Sequence, residues 1–563
     1  MSKIIKTRTY SQAQLQELTA AGIQPLLARL LVARGLASQE ELESGLKYLI
    51  PPNQLYQSQL MAQYLADSIA QQRKLLVVGD YDADGATATA VAVKGLRGMG
   101  AQVDFLVPNR FEYGYGLTPE IVDLAKQSSP DVILTVDNGI ASVEGVARAN
   151  ALGMQVLITD HHLPADVTPD ATCIVNPNQR GCAFPSKHLA GVGVMFYVLL
   201  ALRAELITRG AMDAVQPYPL AELLDLVALG TVADLVKLDR NNRILVEQGL
   251  RRIRAGAGCA GIQAILKCAS RNMHKVTAQD LGFYVGPRLN AAGRLDDMTL
   301  GIRCLLAEDM QEAMHYANQL HNLNTERRQI EAEMQQDAFT DLNIEVIRRA
   351  FTVSVFQPEW HQGVIGILAS RIKEQFHRPV IAFASAGDGL LKGSGRSIPG
   401  LHLRDALDLV TKRHPQLIVK FGGHAMAAGL TIREDGFELF KQSFEATVRN
   451  LITEEELLES IDTDGALEVT EMTLDTAQLL ETQVWGQGFP PPMFYDRFRV
   501  VQQRVLGEKH LKLQLQKEDV RFESIYFNQI EPLPEQVHVV YQLQVNDYNG
   551  QQNVQLLIKH ANV

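Results

Sequence analysis

The stretch VVGDYDADGATATA, beginning at Val77, puts Asp80, Asp82 and Asp84 on alternate positions. An apolar run precedes it and a run of small residues suited to a helix follows. Three carboxylates that close repel one another and lose hydration when partly buried. A cation must offset them. Further along, TVDNG supplies Asp137, TDHH supplies Asp160, His161 and His162, and GTVADL supplies Asp234. Carboxylates and imidazoles without thiolates suit Mn²⁺ or Mg²⁺ better than a structural zinc. Two histidines and at least four aspartates are enough ligands for two ions. Two ions sharing a carboxylate, about 3.5–4 Å apart, polarise a phosphoryl oxygen and generate hydroxide from water.

Any one of these aspartates alone reads most simply as a helix N-cap, and a lone histidine pair as surface or satisfied core. The positions decide between the readings. From about Lys74 to Asn178 the chain alternates short β-rich runs (KLLVVGD, AQVDFLVPN, DVILTVDNG, MQVLITDHH, TCIVNPN) with helical stretches. That alternation predicts an open parallel sheet with helices on both faces. Ligands bind outside the carboxyl ends of such strands. Asp80, Asp82, Asp84, Asp137, His161 and His162 therefore converge although far apart in sequence. Caps do not require an aspartate triplet or an adjacent His-His. Dinucleotide binding does not fit, because no GxGxxG follows the first strand.

The remaining chain divides by pattern. The stretch from Leu189, LAGVGVMFYVLLAL, is glycine-broken and too short to span a bilayer, so it reads as a buried helix. A charged stretch from about 307 to 349 holds no proline or glycine and reads as helices bridging two lobes. A second α/β unit starts near Phe351. After about Ile461, five short alternating segments, with Asn549-Gly550 as a hairpin signal, predict a small barrel of OB type. At 563 residues several domains are expected, and 46% hydrophobic with 21% charged residues is a globular composition. The five cysteines form no CxxC pair, which points to a reduced cytoplasmic compartment. No secretory segment opens the chain. The net charge of −11 excludes a generally adhesive polycation, but not a local basic groove for nucleic acid.

The motifs DYDADG, DNG, DHH and GTVAD, in this order, resemble the signature of the DHH phosphoesterase superfamily. FGGHAMAAG from Phe421 resembles the glycine-histidine motif of its associated DHHA1 domain. GPRLNAAGR from Gly286 and the terminal barrel are similar to the superfamily's bacterial branch of single-strand-specific 5′→3′ exonucleases. Pyrophosphatase relatives carry a histidine where this chain has Asp80. The resemblance implies two α/β lobes, a DHH domain with an open parallel sheet and a DHHA1 domain, joined by a long helical connector, plus the OB-like barrel. The corresponding boundaries are an N-terminal helical segment (1–50), the DHH domain (51–270), the connector (271–349), the DHHA1 domain (350–455) and the barrel (456–563).

By the same resemblance, Asp80, Asp82 and Asp137 serve one Mn²⁺ or Mg²⁺ ion. Asp84, Asp137, His161 and Asp234 serve the other, and Asp137 bridges. Asp160 orients its neighbour and His162 faces the scissile phosphate. Gly422, Gly423, His424 and Arg396 bind phosphate, arginine's fork matching its oxygens. Arg110, Arg288 and Asn290 are candidates for the nucleic-acid path. Tyr113 and Tyr115 either stack on bases or pack their loop, and Lys509, Lys512 and Arg521 read as a solvated face. The implied activity is hydrolysis of single-stranded DNA from the 5′ end, releasing 5′-mononucleotides, in DNA repair and recombination. Single-strand-binding protein and a RecQ-type helicase are the implied partners, with no membrane and a monomeric, cytoplasmic enzyme. A short-oligonucleotide phosphodiesterase or pyrophosphatase would lack such a barrel. A non-catalytic replication scaffold would have lost ligand carboxylates, and every one is present.

Overall fold

The computed structural model describes residues 3–109, 112–548 and 550–562. The chain divides into two compact units. One holds the chain start to Lys6 with Thr325–Asp462, and the other holds Thr7–Asn324 with Thr463 onward.

The larger unit follows a short strand, β1 (Ile4–Thr7), and carries the helices Gln12–Ala20 and Pro25–Val32. Its main sheet is β2 (Lys74–Gly79), β3 (Gln102–Leu106), β4 (Val132–Val136), β5 (Gln155–Thr159) and β6 (Cys173–Val175). These run in the order β3-β2-β4-β5-β6, every pairing parallel. Successive side chains of a strand point to opposite faces, and the core divides accordingly. Leu75, Val77, Val132, Leu134 and Leu157 join one apolar cluster. Leu76, Val78, Ile133, Val156 and Ile158 join another, with the helices Pro119–Ala125 and Val143–Ala151. Burial on both faces explains why these strands read as unbroken apolar runs. The strand order reverses beside β2, between its neighbours β3 and β4, and the crevice at that point is where such sheets bind ligands.

The helix Gly191–Thr208 is long and apolar enough to cross a membrane by composition. It packs inside this unit against the helices Ser58–Ala70 and Ala83–Gly98, and two thirds of it is buried. The helix Met310–Asp341 runs unbroken through the proline- and glycine-free stretch and crosses from one unit to the other.

The smaller unit contains the sheet β10-β11-β9-β8-β7. Its strands are β7 (Val353–Phe356), β8 (Val380–Ser385), β9 (Leu390–Arg396), β10 (Ile418–Gly423) and β11 (Ala427–Arg433). Only β7 and β8 pair in parallel; the rest are antiparallel. β12 (Ser460–Thr463) pairs with β1.

The C-terminal strands β13 (Phe494–Leu506), β14 (His510–Lys517), β15 (Val520–Tyr526), β16 (Gln536–Tyr548) and β17 (Gln551–Asn562) close a barrel in the order β13-β14-β15-β17-β16. The five alternating segments become these five strands, as expected of an OB-type barrel. Asn549 of the hairpin signal lies outside the described residues. The barrel shares the compact unit of the parallel sheet, and barrel residues such as Phe498 and Leu515 belong to the same apolar cluster as Val77 and Leu134. Alternation alone shows which barrel face is apolar, not what covers the barrel's end.

One buried ion pair ties the N-terminal helices to the segment that leads into the barrel. Arg34 donates to both oxygens of Asp464, at 2.8 and 2.9 Å, with side-chain exposures of 1% and 2%. Its Nε reaches the Pro490 carbonyl at 2.6 Å, and its guanidinium lies 5.1 Å from the Trp485 ring centre. Removing one partner strands a buried charge, at a cost of about 3–5 kcal/mol, whereas replacing both by apolar residues costs far less. Asp464→Ala is therefore expected to lower the urea midpoint strongly, and the Arg34→Met/Asp464→Leu double variant to recover most of it. Equal midpoints for the single and double variants would contradict this.

Candidate metal centre

β2 delivers Asp80 at its carboxyl end, and the chain then turns at once into the helix Ala83–Gly98. Asp82 is that helix's N-cap, its Oδ1 accepting the Gly85 N–H at 3.0 Å. Asp84 sits in the first turn, where the helix dipole favours a carboxylate. Its two oxygens accept the N–H groups of Gly191 (2.6 Å) and Val192 (2.9 Å), at the N-terminus of the helix Gly191–Thr208. Gly191 is required there: a Cβ would lie 2.5 Å from both Cβ and Oδ1 of Asp137.

Asp137 follows β4 with φ of 63°, a left-handed conformation rare outside glycine and asparagine-like turns. Asn138 holds that turn, its Nδ2 donating to the carbonyls of Val78 (3.1 Å) and Val136 (2.9 Å). Both strands flanking the crevice are thus locked at the point where their aspartates leave the sheet.

After β5 the chain bends around Asp160. Its Oδ1 accepts the N–H of His161 (2.7 Å) and of His162 (3.1 Å), and lies 2.7 Å from His162 Nδ1. Its Oδ2 accepts the Ile140 N–H at 2.9 Å. Strand alternation would send the two imidazoles to opposite faces, but the bend brings their ring centres to 4.5 Å. Asn178 and Asn176 fix the bend by donating to the carbonyls of His161 (2.6 Å) and His162 (2.9 Å).

Three groups of donor atoms result, each within 4.8 Å of one another: Asp80, Asp82 and Asp137; Asp84, His161 and Asp234; and Asp137, His161 and His162. His161 Nε2 lies 3.1 Å from Asp137 Oδ1, 3.5 Å from Asp234 Oδ2 and 4.0 Å from Asp84 Oδ2. Asp137 Oδ1 is buried and accepts no hydrogen bond among the described residues. Burial, then the neighbouring carboxylates, push Asp84 up to about 7 and raise Asp137 and Asp234 well above the ordinary carboxylate value. Burial also raises Asp160, but the hydrogen bond and charge of His162 outweigh it and hold that carboxyl low. Burial pulls His162 down while Asp160 and further carboxylates carry it up to about 9. An all-oxygen and imidazole donor set with a hydrogen-bond-free buried carboxylate oxygen fits divalent Mn²⁺ or Mg²⁺.

The remaining sequence-derived residues fall in different places. Asn290 Oδ1 accepts the Ala83 N–H at 2.8 Å, capping the helix that carries Asp84. Arg288 is buried, donating to the Tyr284 carbonyl (2.6 Å) and facing His321 Nδ1 at 3.2 Å. Arg110 lies outside the described residues. Arg396, Gly422, Gly423 and His424 belong to the smaller unit. There the half-buried Arg396 donates through Nη1 to the Gly395 carbonyl (2.8 Å), while Gly422 and Gly423 pair with Gly429 and Ala428, and the His424 N–H reaches the Ala427 carbonyl (2.8 Å). Tyr113 packs on an apolar cluster, and Lys512 pairs with Glu523 at 3.0 Å. The sequence reading offered Tyr115 only as a stacking or packing residue, yet its hydroxyl lies 3.2 Å from the His162 ring and 3.3 Å from the Asp137 carbonyl.

Residues 74–231 match the DHH family N-terminal domain, 349–450 the DHHA1 domain and 463–560 the RecJ OB domain. The chain is 50% identical over 554 residues to the single-stranded-DNA-specific exonuclease RecJ of Salmonella typhimurium, covering 96% of each chain. It is 46% identical over 574 residues to the exonuclease of that name from Haemophilus influenzae, covering 100% of this chain and 99% of the other. Crystal structures of RecJ from Thermus thermophilus with Mn²⁺ and with Mg²⁺ match with TM-scores of 0.83 and 0.79, at 30% and 29% identity. Each match covers 100% of this chain, with 80% and 79% of the respective relative.

Removing a carboxylate from this cluster removes like-charge repulsion along with a ligand. Metal-free Asp137→Asn is therefore expected to melt at or above the wild-type temperature, while losing the rise that Mn²⁺ gives wild type by binding the native state. A large fall in metal-free melting temperature, or an undiminished Mn²⁺ response, would contradict this reading.

Proposed function

The chain belongs to the RecJ family of single-stranded-DNA-specific exonucleases, and from that premise we propose that it hydrolyses single-stranded DNA from the 5′ end, releasing 5′-mononucleotides. The observation that carries this reading is the gathering of three donor groups at the carboxyl end of the parallel sheet: Asp80, Asp82 and Asp137; Asp84, His161 and Asp234; and Asp137, His161 and His162. Asp80, Asp82 and Asp137 would hold one divalent ion, and Asp84, Asp137, His161 and Asp234 the other. When bound, Mn²⁺ or Mg²⁺ polarises a phosphoryl oxygen and lowers the pKa of a water.

The chain's own groups do the rest. Helix N–H groups anchor Asp84 and the Asp82 cap anchors its own turn, so both carboxylates are in place before substrate arrives. Asp160, 2.7 Å from His162 Nδ1, orients the imidazole and favours its protonated form. Protonated on both nitrogens, the ring would donate from Nε2 to a phosphoryl oxygen as negative charge builds there. One well-placed donor of this kind is worth on the order of 10²–10³ in rate. Within the smaller unit, Arg396 and the Gly422–His424 turn would contact phosphate. The enzyme works as a cytoplasmic monomer in repair and recombination, on strands supplied by a RecQ-type helicase and covered by single-strand-binding protein.

The direct assay is end-labelled single- and double-stranded DNA with the label at either end, in Mn²⁺ or Mg²⁺. A 5′ label is expected to appear at once as mononucleotide from single strands only; early release of a 3′ label would overturn the polarity. The two histidines separate by a second measurement. His161→Ala is expected to be rescued in part by excess Mn²⁺. His162→Ala is expected to bind Mn²⁺ normally and to remain 10²–10³-fold slow, on the order set by one lost donor. The opposite pattern would reverse their roles.

A further inference from the structure

The helix Leu224–Ala233 ends at Asp234, and the next residue, Leu235, has φ of 58°. Bulky apolar residues rarely adopt this left-handed conformation, and strain of this kind clusters at functional sites. No buried packing rewards it, since Leu235 is 68% exposed. A branched apolar side chain is thus held in water directly beside a candidate metal ligand.

The element packed against this helix end shows a second such feature. Leu281–Val285 forms a single π-turn, a rare geometry that recurs at functional sites, and continues into the helix Gly286–Leu295. The contact is close: a Cβ on Gly282 would lie 3.2 Å from Val232 Cγ1, and one on Gly286 3.2 Å from Ala233 Cβ. In the π-turn Phe283 is 75% exposed. Its neighbour Tyr284 is engaged, with the Arg271 guanidinium 4.4 Å from its ring centre and its carbonyl on Arg288. The following helix reaches the aspartate turn, where Asn290 caps Ala83 and a Cβ on Gly293 would lie 1.9 Å from the Tyr81 carbonyl oxygen. Residues 281–295 therefore touch both the Asp80–Asp84 turn and the helix end before Asp234, and this wall presents an aromatic ring to solvent.

We propose that Leu235 and Phe283 form an apolar ledge beside the metal centre on which bases of the incoming single strand rest. The inference builds on the proposed nuclease function and adds a base-contacting surface that none of the metal or phosphate ligands supplies. Divalent ions held by the acidic centre would engage the phosphates. The bases of a single strand then need an apolar or aromatic surface, and every base has a π-face that stacks regardless of sequence. Paired bases in a duplex keep those faces covered, so the ledge favours single strands.

The test uses the full-length protein with Mn²⁺ and single-stranded oligonucleotides, intact or with one abasic position moved stepwise along the strand. On intact DNA, Phe283→Ala is expected to lower kcat/KM on the order of 10- to 100-fold, mainly through KM, the range that loss of one stacked base gives. Phe283→Trp retains activity, and calorimetric Mn²⁺ binding is unchanged in both variants. The Phe283→Ala defect is expected to vanish on the oligonucleotide whose abasic position faces the ledge. Leu235→Gly, which relieves the left-handed strain, is expected to raise melting temperature while raising KM. An undiminished kcat/KM in Phe283→Ala, or an equal defect on every abasic strand, would overturn the ledge. Wild-type protein inert on single-stranded DNA would instead overturn the nuclease reading. Binding of the same oligonucleotides, followed by fluorescence anisotropy, would then still judge the ledge by the same abasic pattern.

Discussion

Mutual repulsion among Asp80, Asp82, Asp84, Asp137 and Asp234 is the constraint around which the larger unit is built. Five carboxylates gathered at one end of a buried sheet are unfavourable both through lost hydration and through one another. Burial and neighbouring charge raise three of them, and the fold answers with positive ends of dipoles. Asp82 caps one helix, and Asp84 faces the N-terminus of another. The buried Asp137 Oδ1, which accepts no hydrogen bond among the described residues and has His161 Nε2 at 3.1 Å, suits a divalent ion.

Much of the surrounding structure maintains that arrangement. Asn138 holds the turn that puts Asp137 in a left-handed conformation, and Gly191 leaves room for it. Asp160 accepts three backbone N–H groups and orients the His162 imidazole. Asn290, far along the chain, fixes the first turn of the helix that carries Asp84. The helix Gly191–Thr208 brings its N-terminus to Asp84 because the rest of it is packed in the core. The site is thus a property of the whole parallel sheet and its flanking helices.

The parallel strands, the barrel strands and the residues at strand ends were legible in the sequence because each rests on a local pattern: apolar runs, alternation, and aspartates placed where strands stop. Contacts set by tertiary geometry were not. The two adjacent histidines share one side because the chain bends around Asp160, a bend that strand alternation argues against. Asn290 and Arg288 carry polar groups that suggest a DNA path, and their contacts with a helix N–H, a carbonyl and an imidazole of the same unit were not legible in the sequence. The Tyr115 hydroxyl reaches the His162 ring and the Asp137 carbonyl from a loop 22 residues upstream of that aspartate, and no spacing rule signals this. The barrel's shared core with the parallel sheet was equally hidden, since an apolar barrel face looks the same whether it meets another domain or closes on itself.

On the proposed function, Asp137 stands between two divalent ions at the carboxyl end of the parallel sheet. Crystals grown with Mn²⁺ and measured at the manganese absorption edge test it most directly, because anomalous scattering locates each ion without reference to activity. Two anomalous peaks are expected, both in contact with Asp137, one also with Asp80 and Asp82 and the other with Asp84, His161 and Asp234. A single peak, or a pair of peaks that leaves Asp137 without a metal contact, would contradict the account.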